Sequence, residues 1–364
     1  MRERQWMDKS AYTYGLHGTP TTFTLEERIA TLEGGLQCLL APSGLAALAL
    51  VNLGLLKTGD EVLLPDNAYG PGKDLAAGEL RQFGITHQVY DPMKPADLAD
   101  RVTPRTRLVW LEAAGSVTLE FPDLLAQARL CRELGVLSAL DNTWGAGLAF
   151  NPFNLDGRGL AVDISVQALT KYPSGGGDVL MGSVVTRDAA LHRKLKLCHM
   201  RLGLGVGGND AEAVLRALPT LPLRYAAADR SARRLAEWAA RQAPFAQVLH
   251  PALPASPGHA HWQAVCGAAD AAGQGAAASL FSVVIDEKFS REQVDAFCDA
   301  LRLFRIGYSW GGPFSLVMPY ELQTMRHDWP AHLARGTLVR FAIGLEDTAD
   351  LQGDLQHAMQ QTLA

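Results

Sequence analysis

Two hydrophobic periods alternate along the first half of the chain. Val162, Ile164, Val166 and Ala168 take turns with Asp163, Ser165 and Gln167, a period of two that predicts a half-buried strand ending at Thr170-Lys171. Tyr172-Pro173 and a run of three glycines, Gly175 to Gly177, follow, and then a second apolar run over 179–185. A lysine at a strand end, before chain that must bend sharply, is placed to aim its amine into a cleft, and glycine lets backbone approach a ligand there. The plainer reading is a surface lysine before an ordinary hairpin.

The same reading predicts strands over 36–41, 61–65, 85–90, 107–112 and 136–140. Between them it predicts helices over 45–56, 73–83 and 95–102, one opening at Pro122 with Leu124, Leu125, Ala128, Cys131 and Leu134 on one face, and one through Leu32 opened by a Thr24/Glu27 capping box. Alternation of this kind predicts a mostly parallel sheet covered by helices on both faces, with the ligand beyond the carboxyl ends of the strands. Ser43, Asp66-Asn67, Glu112, Asp141 and Lys171 all fall at that end. After Leu191 the pattern changes to long Ala/Leu/Arg-rich helices over 193–241, broken near Pro219 and Pro222. A strand over 280–285, a helix over 291–301 and a strand over 338–343 then predict a smaller α/β domain starting near residue 215. The expected organisation is an arm (1–20), a large domain (21–215) and a small domain (216–364), with 268–278 as a low-complexity loop.

Composition narrows the functions. The 364 residues carry 33 basic and 38 acidic side chains, a net charge of −5, with no basic block interleaved with aromatics, which argues against a nucleic-acid partner. The uncharged stretch 36–56 is broken by Pro42-Ser43-Gly44, so it reads as strand, turn and helix rather than a membrane span. Five scattered cysteines without a CxxC read as buried thiols of a reducing compartment, and dispersed histidines give no metal site, His259 and His261 being assigned to a loop. The start, MRERQWMDKS, has no secretory pattern, and the expected location is the cytoplasm.

The residues at the sheet end suit one kind of cofactor. Ser43-Gly44 lies between strand and helix, where backbone N–H groups and the helix dipole hold phosphate. Asp141 ends a buried strand and needs a cationic partner to stay ionised, Tyr69 offers an aromatic face, and Lys171 an amine. These are the needs of pyridoxal phosphate: a lysine that bonds it, an aspartate that keeps its ring nitrogen protonated, and a phosphate cradle.

Several stretches sharpen this. YGLHGTPT (14–21), LEGG (32–35), ALDNTWGAG (139–147), ALTKY (168–172), YSWGG (308–312) and VRFAIGLED (339–347) occur in the order found in the pyridoxal-phosphate enzymes of cysteine and methionine metabolism, which the chain resembles from Tyr14 through Arg340. The resemblance implies the aspartate-aminotransferase-like fold (fold type I) and assigns roles. Lys171 is the cofactor lysine and base, Asp141 the partner of the pyridine nitrogen, and Tyr69 the residue stacked on the ring. Ser43, Gly44, Leu45 and Thr170 face the phosphate, and Tyr14 reaches a neighbouring subunit's phosphate. Arg340 takes the substrate carboxylate, with Tyr308, Ser309 and Trp310 beside it. Taken singly, each has a plainer reading: Asp141 as a helix cap, Tyr69 as loop packing, Thr170 as a β-former, Arg340 in a surface pair, Trp310 as a core aromatic.

The implied reaction is β-elimination from cystathionine or a related cysteine S-conjugate. Trp310 stands where γ-acting relatives tend to carry leucine. A γ-acting relative and a cofactor-binding protein without turnover are the alternatives. The implied partner is a small amino-acid substrate, with no nucleic acid or membrane, and the implied assembly is a homo-oligomer, a dimer at least or a tetramer. Three departures stand out. Leu16, followed by His17, occupies the place of an arginine that in relatives reaches the partner's phosphate, a contact whose loss costs on the order of 1.5–3 kcal/mol if nothing replaces it. Only 13 residues precede Tyr14, so the arm that packs on neighbouring subunits is expected to be short, and Phe314 replaces a glutamate near the substrate mouth.

Overall fold

The computed structural model describes residues 9, 12, 14–267 and 274–363. Seven strands form the first sheet: β1 (Gln37–Ala41), β2 (Glu61–Pro65), β3 (Thr86–Tyr90), β4 (Thr106–Glu112), β5 (Leu137–Asp141), β6 (Ile164–Ala168) and β7 (Gly182–Thr186). Their spatial order is β1-β7-β6-β5-β4-β2-β3, with only β7 antiparallel to its neighbours. Period-two alternation divides β1, β2, β4, β5 and β7 between two cores. Leu39, Val62, Leu64, Leu108 and Ile164 pack beneath the helices Gly44–Leu55 and Ala189–Leu202 on one face. Cys38, Leu40, Leu63, Val109, Leu111 and Leu140 meet Pro20–Glu33 and Leu124–Leu134 on the other. Burying one such aliphatic side chain contributes about 1.5–3 kcal/mol.

Five further strands, β8 (Phe245–Leu249), β9 (Leu280–Asp286), β10 (Arg305–Ile306), β11 (Leu316–Tyr320) and β12 (Gly336–Ala342), form a second sheet in the order β10-β11-β12-β9-β8. One face, with Phe281, Val283, Val339 and Phe341, is covered by Arg291–Ala300, Thr348–Thr362 and the end of Leu221–Ala239. The start of that last helix belongs to the first core through Leu221 and Tyr225.

Several expectations are corrected. The first helix starts at Pro20, not after Thr24, because Thr19 is extended and exchanges hydrogen bonds with Thr22 while Pro20 supplies a preset φ; the Thr24 hydroxyl bonds back to Pro20 O. The helix expected from residue 73 begins at Gly70 and widens to a π-turn over Ala76–Leu80 before it ends. His259 and His261 open a helix, His259–Cys266, after Gly258, whose φ of +83° turns the chain in. Strand β6 stops at Ala168, so Lys171 stands on the turn that follows. Of the low-complexity loop, 268–273 lie outside the described residues. All five cysteines are free; Cys198 alone is only half-buried.

Candidate active site

The carboxyl ends of the central strands and the loops of the second sheet form one slot. Ser43 caps the helix Gly44–Leu55, its Oγ accepting the Ala46 N–H at 3.0 Å. As the first helical residues, Gly44 and Leu45 have no carbonyl one turn back, so their N–H groups lack an intrahelical acceptor and carry the positive end of the dipole. A Cβ on Gly44 would stand 2.6 Å from the Ala168 Cβ, so this helix start fits against the end of β6 only as glycine. The Thr170 hydroxyl accepts the Met181 N–H at 3.1 Å and donates to Met181 O at 3.3 Å, which ties the β6–β7 connection together.

Asp141 ends β5 in register with Glu112 at the end of β4. Its Oδ1 accepts the Thr143 hydroxyl at 2.6 Å and the Thr143 N–H at 3.0 Å. Loss of water raises the Asp141 carboxyl above the usual carboxylate range, and Glu112 is pushed up to about 8 by loss of water first and by Asp141 second. Glu112 Oε2 accepts the Tyr69 N–H at 2.9 Å and so fixes the residue that starts the helix Gly70–Leu75.

Lys171 faces this pair from the next loop. Its Nζ donates to Ser309 Oγ at 2.9 Å and lies 5.1 Å from the centre of the Trp310 ring, which meets Tyr172 edge-on. Gly311, at φ +78°, lets that loop lie on the Lys171 main chain, where a Cβ would stand 2.9 Å from the Tyr172 nitrogen. Burial and the Arg340 charge lower the Lys171 amine to about 8, against an opposing pull from Asp141.

Arg340, on β12, is 5 % exposed. One Nη2 reaches Tyr308 O at 2.8 Å and Ser309 O at 3.3 Å, and the guanidinium lies over the Tyr320 ring at 5.3 Å. Its Nε has no hydrogen-bond partner among the described residues, and no carboxylate is paired with it there. Tyr320 also hydrogen-bonds the guanidinium, and a buried cation held by carbonyls and a tyrosine, with no carboxylate among the described residues, is prepared for an anion. Tyr308 is largely exposed and meets Tyr320 edge-on.

The structure therefore gathers Tyr69, Asp141, Lys171, Ser309, Trp310 and Arg340 in one slot beside the Ser43–Leu45 helix start. Tyr14 is apart from it, exposed and edge-on against His17. Asp66 and Asn67 turn away from the slot, to Arg326 and Glu120. Sequence reasoning missed Thr143, Tyr320 and the Glu112 bond to Tyr69; Thr143, two residues after Asp141 as an Asx-turn partner, had a legible signal. The donor set fits pyridoxal phosphate: free N–H groups for a phosphate, a carboxylate for a ring nitrogen, an aromatic plate and an amine near neutrality. Among the described residues no helix is long and apolar enough to cross a membrane.

Comparison with known proteins agrees with this donor set. The family model described as Cys/Met metabolism PLP-dependent enzyme matches residues 2–360. The chain is 38% identical over 363 residues to a cystathionine beta-lyase of Bordetella avium, covering 99% of this chain and 87% of that protein. To the cystathionine beta-lyase MetC of Escherichia coli K12 it is 35% identical, covering 94% and 84%. Among solved structures, a cystathionine gamma synthase from Xanthomonas oryzae pv. oryzae superposes with a TM-score of 0.84 at 29% identity, covering 96% of this chain and 88% of that one.

Proposed function

The chain belongs to the Cys/Met-metabolism PLP-dependent enzymes, and on that premise we propose that it is a carbon–sulfur lyase cleaving cystathionine, or a related cysteine S-conjugate, by β-elimination. The observation that carries this is the placing of Lys171: its amine, lowered to about 8 by burial and the Arg340 charge, is held by Ser309 beside an Arg340 that has no carboxylate partner among the described residues. Pyridoxal phosphate, when bound, supplies a ring that accepts the electron pair left at Cα.

The chain's own residues do the rest. Gly44 and Leu45 N–H groups, with Ser43, hold the phosphate; Thr170 braces that cradle through Met181. Asp141, fixed by Thr143, holds the proton on the ring nitrogen, and Tyr69 covers the ring. Arg340 grips the substrate α-carboxylate, which sets the Cα–H bond towards Lys171. Lys171 Nζ takes the Cα proton as general base, and the Cβ–S bond breaks. With cystathionine and one water the products are homocysteine, pyruvate and ammonia.

Trp310 supports β over γ chemistry. Elimination at Cγ needs a second proton taken from Cβ, so the amine must travel, whereas Ser309 at 2.9 Å and the indole at 5.1 Å hold it in one place. A panel of cystathionine, cysteine and S-alkyl cysteines with product identification is the test. Pyruvate with homocysteine supports the reading; 2-oxobutyrate with cysteine supports the γ alternative. Cofactor absorbance without any product supports a binding protein, the reading Leu16 motivates. Lys171→Ala, the control, loses visible cofactor absorbance and turnover together.

The active unit in this reading is a homo-oligomer, a dimer at least, in which the exposed Tyr14 reaches a neighbour's phosphate. Five free cysteines support a reducing, cytoplasmic setting.

A further inference from the structure

A second arginine lies beneath the slot, and the reaction does not use it. Arg326 sits in the connection between β11 and β12 and is 8 % exposed. Its Nε donates to Asp66 Oδ2 at 2.6 Å and its Nη1 to Glu120 Oε2 at 2.8 Å, with Thr118 Oγ1 at 3.3 Å. The same Glu120 oxygen accepts Asn67 Nδ2 at 3.0 Å and the Thr118 hydroxyl at 2.8 Å, while Oε1 faces His332. Lys73 Nζ bridges Asp66 O at 2.7 Å and Met325 O at 2.6 Å, and the His327 N–H meets Asp66 Oδ1 at 3.2 Å.

These bonds join two walls of the slot. Asp66 and Asn67 follow β2 directly and precede Tyr69 by three and two residues. Residues 325–332 lie between Tyr320, the ring beneath Arg340, and β12, which carries Arg340. A well-packed apolar residue of similar volume is often as stabilising as a buried ion pair, so stability by itself does not account for this triad. It does supply fixed geometry between parts of the chain 260 and 206 positions apart, which apolar packing specifies less sharply.

We propose that Arg326 is a positioning residue, clamping the Tyr69 loop to the β11–β12 connection through Asp66 and Glu120 and so setting the gap between the Tyr69 plate and the Tyr320–Arg340 wall. The inference rests on the roles assigned to Tyr69 and Arg340 above. A misplacement of about 1 Å at a reacting site costs about a hundredfold in rate.

The test compares wild type, Arg326→Met and Arg326→Lys as holoenzymes. It reads KM and kcat with the best substrate of the panel, visible circular dichroism of the bound cofactor, and the thermal midpoint. Arg326→Met is expected to raise KM about tenfold and to cut the visible dichroic band by half or more at equal cofactor content, with Lys recovering part of both. KM and dichroism within twofold of wild type overturn the proposal, whatever the thermal midpoint does. Should the Met variant fail to fold, Arg326→Lys decides on the same readouts, since an ammonium reaches one of the two carboxylates and not both in fork geometry. The dichroic band reads the cofactor's surroundings even if the wild type proves inactive on cystathionine, so failure here is distinct from failure of the lyase reading.

Discussion

Arg326 and Arg340 are both buried arginines, and the protein treats them in opposite ways. Arg326 is enclosed by two carboxylates, and those partners raise its pKa despite burial. Arg340 meets carbonyl oxygens and an aromatic face, keeps an Nε with no hydrogen-bond partner among the described residues, and is lowered by burial. A neutralised guanidinium joins structure; a guanidinium with no anion waits for one. In the proposed reading the difference separates a clamp from a binding residue.

The largest expected effect is on the clamp. Breaking a buried pair by removing one partner strands the other charge, so Arg326→Met is expected to lose about 3–5 kcal/mol of stability, read by denaturant unfolding of the holoenzyme. Arg340→Met strands no carboxylate among the described residues and is expected to keep its unfolding free energy within about 1 kcal/mol, while kcat/KM falls about a hundredfold, the loss of one desolvated charge pair to substrate. Equal losses of stability in the two variants would sink the distinction.

A third effect concerns the other anion of the slot. In the proposed site the phosphate end would be built from backbone N–H groups and hydroxyls, and the resemblance implies an arginine where this chain has Leu16. Leu16→Arg is expected to tighten cofactor binding about tenfold and to make it more salt-sensitive, measured as a dissociation constant at two ionic strengths. An unchanged constant would assign the missing charge to another group.

The smallest effect is a shift in titration. Lys171 is lowered from its usual 10.5 to about 8, so its neutral, reactive form becomes the majority above about pH 8. Arg340 contributes to that lowering and Asp141 opposes it. Arg340→Met therefore moves the midpoint of Lys171 amine labelling in the cofactor-free protein upward, and Asp141→Asn moves it downward, in pH-dependent labelling followed by peptide mapping.

The sequence by itself carried the parallel sheet, most of its strands, and the slot's chemical groups. Period-two runs such as 162–168 and strand-end residues such as Asp141 are local facts, legible because side-chain alternation and turn residues act over a few positions. The start of the first helix was misread because Thr19-Pro20 competes with Thr24 for the same signal, and the choice rests on which threonine is extended. Strands Phe245–Leu249 and Leu316–Tyr320 were not recognised, being short segments whose pairing partners lie far along the chain. Tertiary structure alone decided which charges meet. Arg326 reaches Asp66 across 260 positions and Lys171 reaches Ser309 across 138. Arg340, 14 positions beyond Arg326, finds no carboxylate among the described residues. Pairing of side chains depends on distance in space, and spacing along the chain holds no record of it.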